Sequence, residues 1–463
     1  MKSIARICMI ICTTFLLSSA SFSQTMEGKT IEDEAVAWLK QFLQVDTINP
    51  PGNESRAVDF YSAIFDAEGI PWASAESADG RGNIWARLEG GSAPALILLQ
   101  HTDVVPADPD FWTVDPLSGI EMDGYIYGRG AVDMKGSGIG HLAAFLTLHR
   151  SGVALNRDVV FVATADEEAG GFYGVGWLIE NHPEIFEGAG MLLNEGGGGE
   201  IQEDGLVFDI EVTQKVPVWL RLVAVDNPGH GSMPQTTSAT GQLVEALERI
   251  RTNPFPARIV PAVDVLFKGL SETMIGDQKA AFAHMALAIE EPGFLAELQA
   301  RSPYHHALTR DTCSITRFGA SPKINVVPPT AWAEIDCRML PDRPAEDFIA
   351  DVASLLEGLD VKIELIMAFT PAVSSTDSIL YVAIRDVMLE LYPEAHVIPG
   401  VTTGFTDSHF TRDLGIDSFG FSPLIMPQSE MNRIHGNDER VEIAAFRKSI
   451  GDLIAIIAKV VQD

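Results

Sequence analysis

The chain has 463 residues, 46% hydrophobic and 21% charged, a globular composition that excludes intrinsic disorder as the main state. Its 32 basic and 64 acidic residues give a formal charge of −32, which excludes the basic footprint of a nucleic-acid binder and electrostatic docking on anionic lipid. At roughly 100–200 residues per domain, the length predicts two to three domains.

Residues 1–23 read as a secretory signal. Lys2 and Arg6 form a basic start, Ile7 to Leu17 an apolar run, and Ser21-Phe22-Ser23 a small-residue end suited to cleavage. The run is too short to span a bilayer, so export to the periplasm or the medium is expected, with no stable membrane insertion. Cys8 and Cys12 leave with the signal. Cys313 and Cys337 remain, both in expected strands of one hairpin, where they form either a disulfide or two buried thiols.

The next segments alternate. Ile31–Val45 and Val58–Glu68 carry helical spacing, separated by the breaker Asn49-Pro50-Pro51-Gly52. Ala95–Gln100, Val159–Thr164 and Met191–Asn194 read as buried strands, with helices at Lys135–Arg150 and Gly174–Asn181. Such alternation predicts an α/β sheet covered on both faces. From Val216 the pattern changes to strand, helix, strand, strand, helix, strand, the split order of a small α+β ferredoxin-like domain. A helical stretch, residues 254–308, interrupts it, and the α/β style resumes near residue 370. The expected organisation is a catalytic domain in two parts, 27–215 and 369–463, with a second domain, 216–368, inserted between them.

Ligands gather at the carboxyl ends of strands in such sheets. Here those ends carry His101-Thr102-Asp103, Asp166-Glu167-Glu168 and Asn194-Glu195, while Asp133 precedes a helix and His435 lies in a late loop. Two histidines, one aspartate and two glutamates are too many for one four-coordinate zinc. They suit two ions bridged by an aspartate, an arrangement that lowers the pKa of bound water from 15.7 toward ~7. One of the adjacent glutamates is then free to act as general base and acid. Asp103 is placed to accept the second imidazole N–H of His101.

The motifs together resemble the co-catalytic zinc exopeptidases, a family that includes carboxypeptidase G, carboxypeptidase S, aminoacylase and succinyl-diaminopimelate desuccinylase. The resemblance rests on HTDVVP (101–106), YGRGAVDMKG (127–136), DEE (166–168) and NEGG (194–197). NPPGNE (49–54), GHGSMP (229–234), INVVPP (324–329), IDCRMLP (335–341) and HGNDE (435–439) extend it over the mature chain. It implies a mixed-sheet catalytic domain with an inserted lid through which two copies can pair. It further implies two zinc ions per chain, with cobalt or manganese as substitutes: His101 and Glu195 on one, Glu168 and His435 on the other, and Asp133 between them. By the same resemblance Glu167 is the general base, Asp103 orients His101, and His230 meets the oxyanion. Asn325, Arg338 and Gly404 are implied to bind the substrate's backbone or carboxylate. One position departs from the family pattern: Gly404 to His409 reads GFTDSH, with His409 where arginine is usual. The implied reaction is hydrolysis of an amide next to a free carboxylate. The expected substrate is a short peptide losing its C-terminal residue; the alternatives are an N-acyl amino acid and, more remotely, a non-catalytic binding role.

Overall fold

The computed structural model describes residues 29–202 and 205–462. The expected signal at 1–23 lies outside the described residues. Among these, no helix is long and apolar enough to cross a membrane.

The larger sheet has ten strands and is mixed. At its centre three neighbouring strands, Arg157–Thr164, Ala93–His101 and Ala189–Asn194, run parallel, so their carboxyl ends meet along one edge. Asp417–Gly420 continues this parallel set beside Ala189–Asn194. Both faces are buried, as the near-continuous apolar runs require. Leu96 and Leu98 face one core with helices Ile31–Phe42, Lys135–Ser151 and Ile443–Gln462. Ile97 and Leu99 face the other, with Val175 and Leu178 of helix Val175–Asn181.

Local signals set the element ends. Thr30 and Asp33 form a reciprocal capping box at the start of the first helix. Gly152 takes the left-handed conformation that stops Lys135–Ser151. That helix lies close against the sheet at Gly138, where an added Cβ would fall 1.4 Å from Gln100 Oε1.

The second sheet has four antiparallel strands, Thr312–Gly319, Thr330–Met339, Val216–Val225 and Val361–Ala368 in spatial order. Helices Ala239–Thr252 and Ala345–Leu355 complete its βαββαβ order and share its core through Leu243, Ala246, Phe348 and Val352. Cys313 pairs directly across from Cys337, and the two form a disulfide.

The stretch 254–308 forms five short helices, beginning with Pro261–Ser271. Phe255 at its start joins the core of the four-stranded sheet beside Phe348, but among the described residues its helices do not enter that core. Val263, Phe267 and Leu270 instead bury against Ile398 and Val401 of strand His396–Thr402, at the flank of the larger sheet. The segment therefore fastens to the larger sheet.

Candidate metal centre

The three parallel strand ends bring His101, Glu167, Glu168 and Glu195 together. Asp133 arrives on the loop before helix Lys135–Ser151, and His435 on a late turn. Asp133 presents its two oxygens to different imidazoles: Oδ1 lies 3.2 Å from His101 Nε2 and Oδ2 lies 3.0 Å from His435 Nε2. Each imidazole also faces one glutamate, His101 with Glu195 at 3.3 Å and His435 with Glu168 at 3.3 Å. Two sets of potential ligand atoms lie within 4.8 Å of one another, those of His101, Asp133 and Glu168 and those of His101, Glu167 and Glu195.

The electrostatics favour cations. Burial first, and then the Glu195 carboxylate, push the Glu167 pKa well above its ordinary value. Burial raises Glu195 to about 7, with the His101 charge opposing. His101 is held well above its usual range although burial opposes its charge, because Glu195, Asp103 and Asp133 outweigh it. His435 rises to about 10 through its contacts with Asp133 and Glu168. Glu168 Oε1 is buried and faces His435 Nε2 at 3.3 Å. Oxygen and imidazole donors packed this closely, with surplus negative charge, fit borderline divalent ions such as zinc.

Asp103 does more than the sequence suggests. His101 Nδ1 lies 2.9 Å from the Asp103 backbone carbonyl and 3.4 Å from its carboxylate. The carboxylate accepts from the Glu167 and Glu168 backbone N–H groups at 3.1 and 3.2 Å, and from Asn49 Nδ2 at 2.8 Å. It thus shapes the turn that presents both glutamates, while its own main chain holds the imidazole nearer. A further layer backs it: Arg81 bonds Asn49 Oδ1 at 3.0 Å and pairs with buried Glu54 at 2.6 Å and with Asp166 at 3.3 Å.

Other functional candidates escape a reading of the sequence. Buried Asp407 lies behind the DEE turn, 3.4 Å from Thr164 Oγ1, and burial drives its pKa well up. Its only sequence signal is its place in GFTDSH. Glu439, in HGNDE, holds the loop that carries Asp133.

The four-stranded unit supplies His230, Asn325 and Arg338, and the chain after it supplies Gly404. His230 is exposed on a two-residue strand paired with Val326–Val327. Its Nδ1 accepts from the Ser232 backbone N–H at 3.1 Å, which leaves the neutral ring's proton on Nε2. The Asn325 carbonyl accepts from Gly231 N–H at 3.0 Å, so the two segments are tied together. Among the described residues, no hydrogen bond of His230 or Asn325 reaches the ligand cluster. Gly404 is exposed, and an added Cβ there would meet nothing within 4 Å.

Arg338 presents less than a full fork. Its Nε and Nη2 bond Asp336 at 2.7 and 3.2 Å, leaving Nη1 buried and unpartnered. The guanidinium lies 5.5 Å over the Phe405 ring. His409, where the family pattern has arginine, is buried with its ring stacked on Phe369 at 3.5 Å and Nδ1 2.9 Å from the Thr406 carbonyl. Burial lowers its pKa to about 3. One helical turn on, Arg412 pairs with buried Glu211, so its charge is already committed inside the protein.

Residues 97–462 match the model of Peptidase family M20/M25/M40. The N-fatty-acyl-amino acid synthase/hydrolase of Xenopus tropicalis is 32% identical over 372 residues, 78% of this chain and 71% of that protein. A probable carboxypeptidase S-like 2 of Dictyostelium discoideum is 30% identical over 384 residues, 79% of this chain and 71% of that one. Among solved structures, an M20 family metallo-carboxypeptidase from Sulfolobus solfataricus superposes with a TM-score of 0.73 at 20% identity, covering 93% of this chain and 100% of its own. Motifs, mixed α/β fold and family match agree: the chain belongs to the M20/M25/M40 peptidase family and is a hydrolase of that family.

Proposed function

We propose that this hydrolase is exported, holds two zinc ions, and cleaves an amide whose nitrogen belongs to an amino acid with a free carboxylate. The observation that carries the reading is Asp133, whose two oxygens each face a separate histidine–glutamate pair. Two ions bound there would supply an activated water and polarise the scissile carbonyl.

The chain's own groups do the rest. Glu167, 6% exposed, receives a proton from the attacking water and returns it to the leaving amine. His230 offers its Nε2–H to the developing oxyanion, with Asn325 fixed beside it. Arg338 Nη1, the unpaired arm of its fork, takes one oxygen of the substrate carboxylate. Gly404, next to the Phe405 that lies under Arg338, leaves open space for the same carboxylate. The Cys313–Cys337 disulfide supports export, since such bonds persist in oxidising compartments. Pairing of two copies through the four-stranded lid is part of the same reading.

N-acyl amino acids are the first substrate class, supported by the amphibian relative. Short peptides with a free C-terminus are the second, supported by the carboxypeptidase S-like relative. Both present acyl–NH–CH–COO⁻. The test is metal analysis of the purified mature protein, with amino-acid release from a panel of N-acyl amino acids and dipeptides. About two ions per chain and EDTA-sensitive release are expected, with Glu167→Gln keeping its metal and losing roughly 10²–10⁴ in rate. Unchanged turnover in that variant would sink the assigned mechanism.

A further inference from the structure

An aromatic ridge connects the turn that carries the general base to the arginine of the lid. It begins at Phe172, four residues beyond Glu168, on a turn made possible by positive φ at Gly170 and Gly171. Although it follows a buried acid cluster, Phe172 is 51% exposed. Its ring lies 6.1 Å from that of Phe369, at the return crossing from the four-stranded unit. Phe369 lies 5.7 Å from Phe405, and Phe405 lies under the Arg338 guanidinium. Met367 closes the side, its sulfur 3.9 Å from the position a Cβ on Gly170 would take.

From this we infer that Phe172, Phe369 and Phe405 form the subsite for the side chain of the released amino acid, and that this side chain is large and apolar. The inference rests on the reading above, in which Arg338 holds the substrate carboxylate and Glu167 serves the scissile amide. Those two groups flank the substrate's Cα, and the side chain leaves from that same carbon. The residues between them are aromatic, with Phe172 exposed, Phe405 half-buried and Phe369 buried between the two as the floor. Burying a leucine or phenylalanine side chain on it is worth ~1.5–3 kcal/mol relative to leaving it in water, about 10- to 150-fold in kcat/KM at ~1.4 kcal/mol per tenfold. Glycine gains none of this.

Phe172 is the residue to change, because its exposure lets it be truncated without opening a core. The metal-loaded full chain and Phe172→Ala are compared on N-acetyl-phenylalanine, N-acetyl-leucine and N-acetyl-glycine, and on a second series in which acyl length varies over one amino acid. Calorimetric binding of free phenylalanine and glycine gives a readout independent of turnover. The expected result is a 10-fold or larger loss of kcat/KM for the phenylalanine and leucine substrates, little change for glycine, and weaker phenylalanine binding. A loss that follows acyl length instead would place the ridge on the acyl side and overturn the assignment. An equal loss on every substrate, or none, would also overturn it. No release from any N-acyl amino acid or dipeptide by the parent enzyme would overturn the proposed function and the subsite with it, whereas release without side-chain preference would overturn the subsite alone.

Discussion

The carboxylate of Glu439 accepts the backbone N–H of Asp133 at 3.1 Å and pairs with the Arg129 guanidinium at 2.7 Å. It also accepts from Gly130 and Val132 at 3.0 and 2.8 Å, so one buried side chain holds the whole loop that carries Asp133. Glu439→Ala removes four hydrogen bonds and leaves Arg129 buried without its counter-charge, a change expected to cost ~3–5 kcal/mol. Urea unfolding of the metal-free protein measures this directly. Zinc titration of the folded variant is expected to show affinity lowered ~10–100-fold, the usual result of removing support behind a ligand. Parent-like values in both would show that the loop holds itself.

Arg338 gives a kinetic prediction. If Nη1 binds the substrate carboxylate, Arg338→Met removes a charge-assisted hydrogen bond worth ~1.5–3 kcal/mol. KM is expected to rise by roughly 10–100-fold with kcat little changed, the signature of lost uniform binding. Arg338→Lys recovers only part, because Asp336 competes for a single ammonium. A fall in kcat with unchanged KM would move Arg338 away from the carboxylate.

These residues also show what a sequence can and cannot convey. The strands ending at His101, Thr164 and Asn194 are legible because strands buried on both faces must be apolar along their length. Their acidic and imidazole ends stand out against that background. The role of Asp103 is only half legible: spacing puts it beside His101, but which of its oxygens the ring meets depends on the path of the backbone. The Glu54–Arg81–Asn49 support is hidden, since Arg81 reaches the Asn49–Glu54 loop from a separate turn and is joined to it only by folding. The helices of 254–308 are visible as periodicity, but Ile398 and Val401, against which Val263, Phe267 and Leu270 pack, lie far onward in the chain. Nothing local announces that contact.

The disulfide makes a stability prediction. Cys313 and Cys337 are 24 residues apart in sequence, and closing a loop of that size restricts the unfolded chain by ~3–3.5 kcal/mol in the chain-entropy description. Dithiothreitol is expected to lower the melting temperature of the parent. The double variant Cys313→Ser, Cys337→Ser should begin at that lower value and ignore the reductant. A parent equally indifferent to reductant would show that the bridge adds no stability.

Acid should destabilise the fold through histidines that are not in the ligand cluster. His305 packs among Phe267, Phe282 and Tyr304, and burial lowers its pKa from 6.5 to about 4. Burial lowers His141 to about 4 and His409 to about 3. In each case the folded pKa lies below the unfolded one, so between them the unfolded chain binds more protons. The contribution to stability is therefore complete above pH 6.5 and is lost as pH falls toward 4. Each histidine adds a slope of ~1.4 kcal/mol per pH unit in that window. His305→Leu keeps the apolar contacts and removes the titration. Urea unfolding of parent and variant in EDTA, from pH 4.5 to 6, should give slopes differing by about one histidine, because the ligand carboxylates are common to both and cancel. Identical slopes would mean that His305 protonates in place, with its ring reaching water while the fold stays intact.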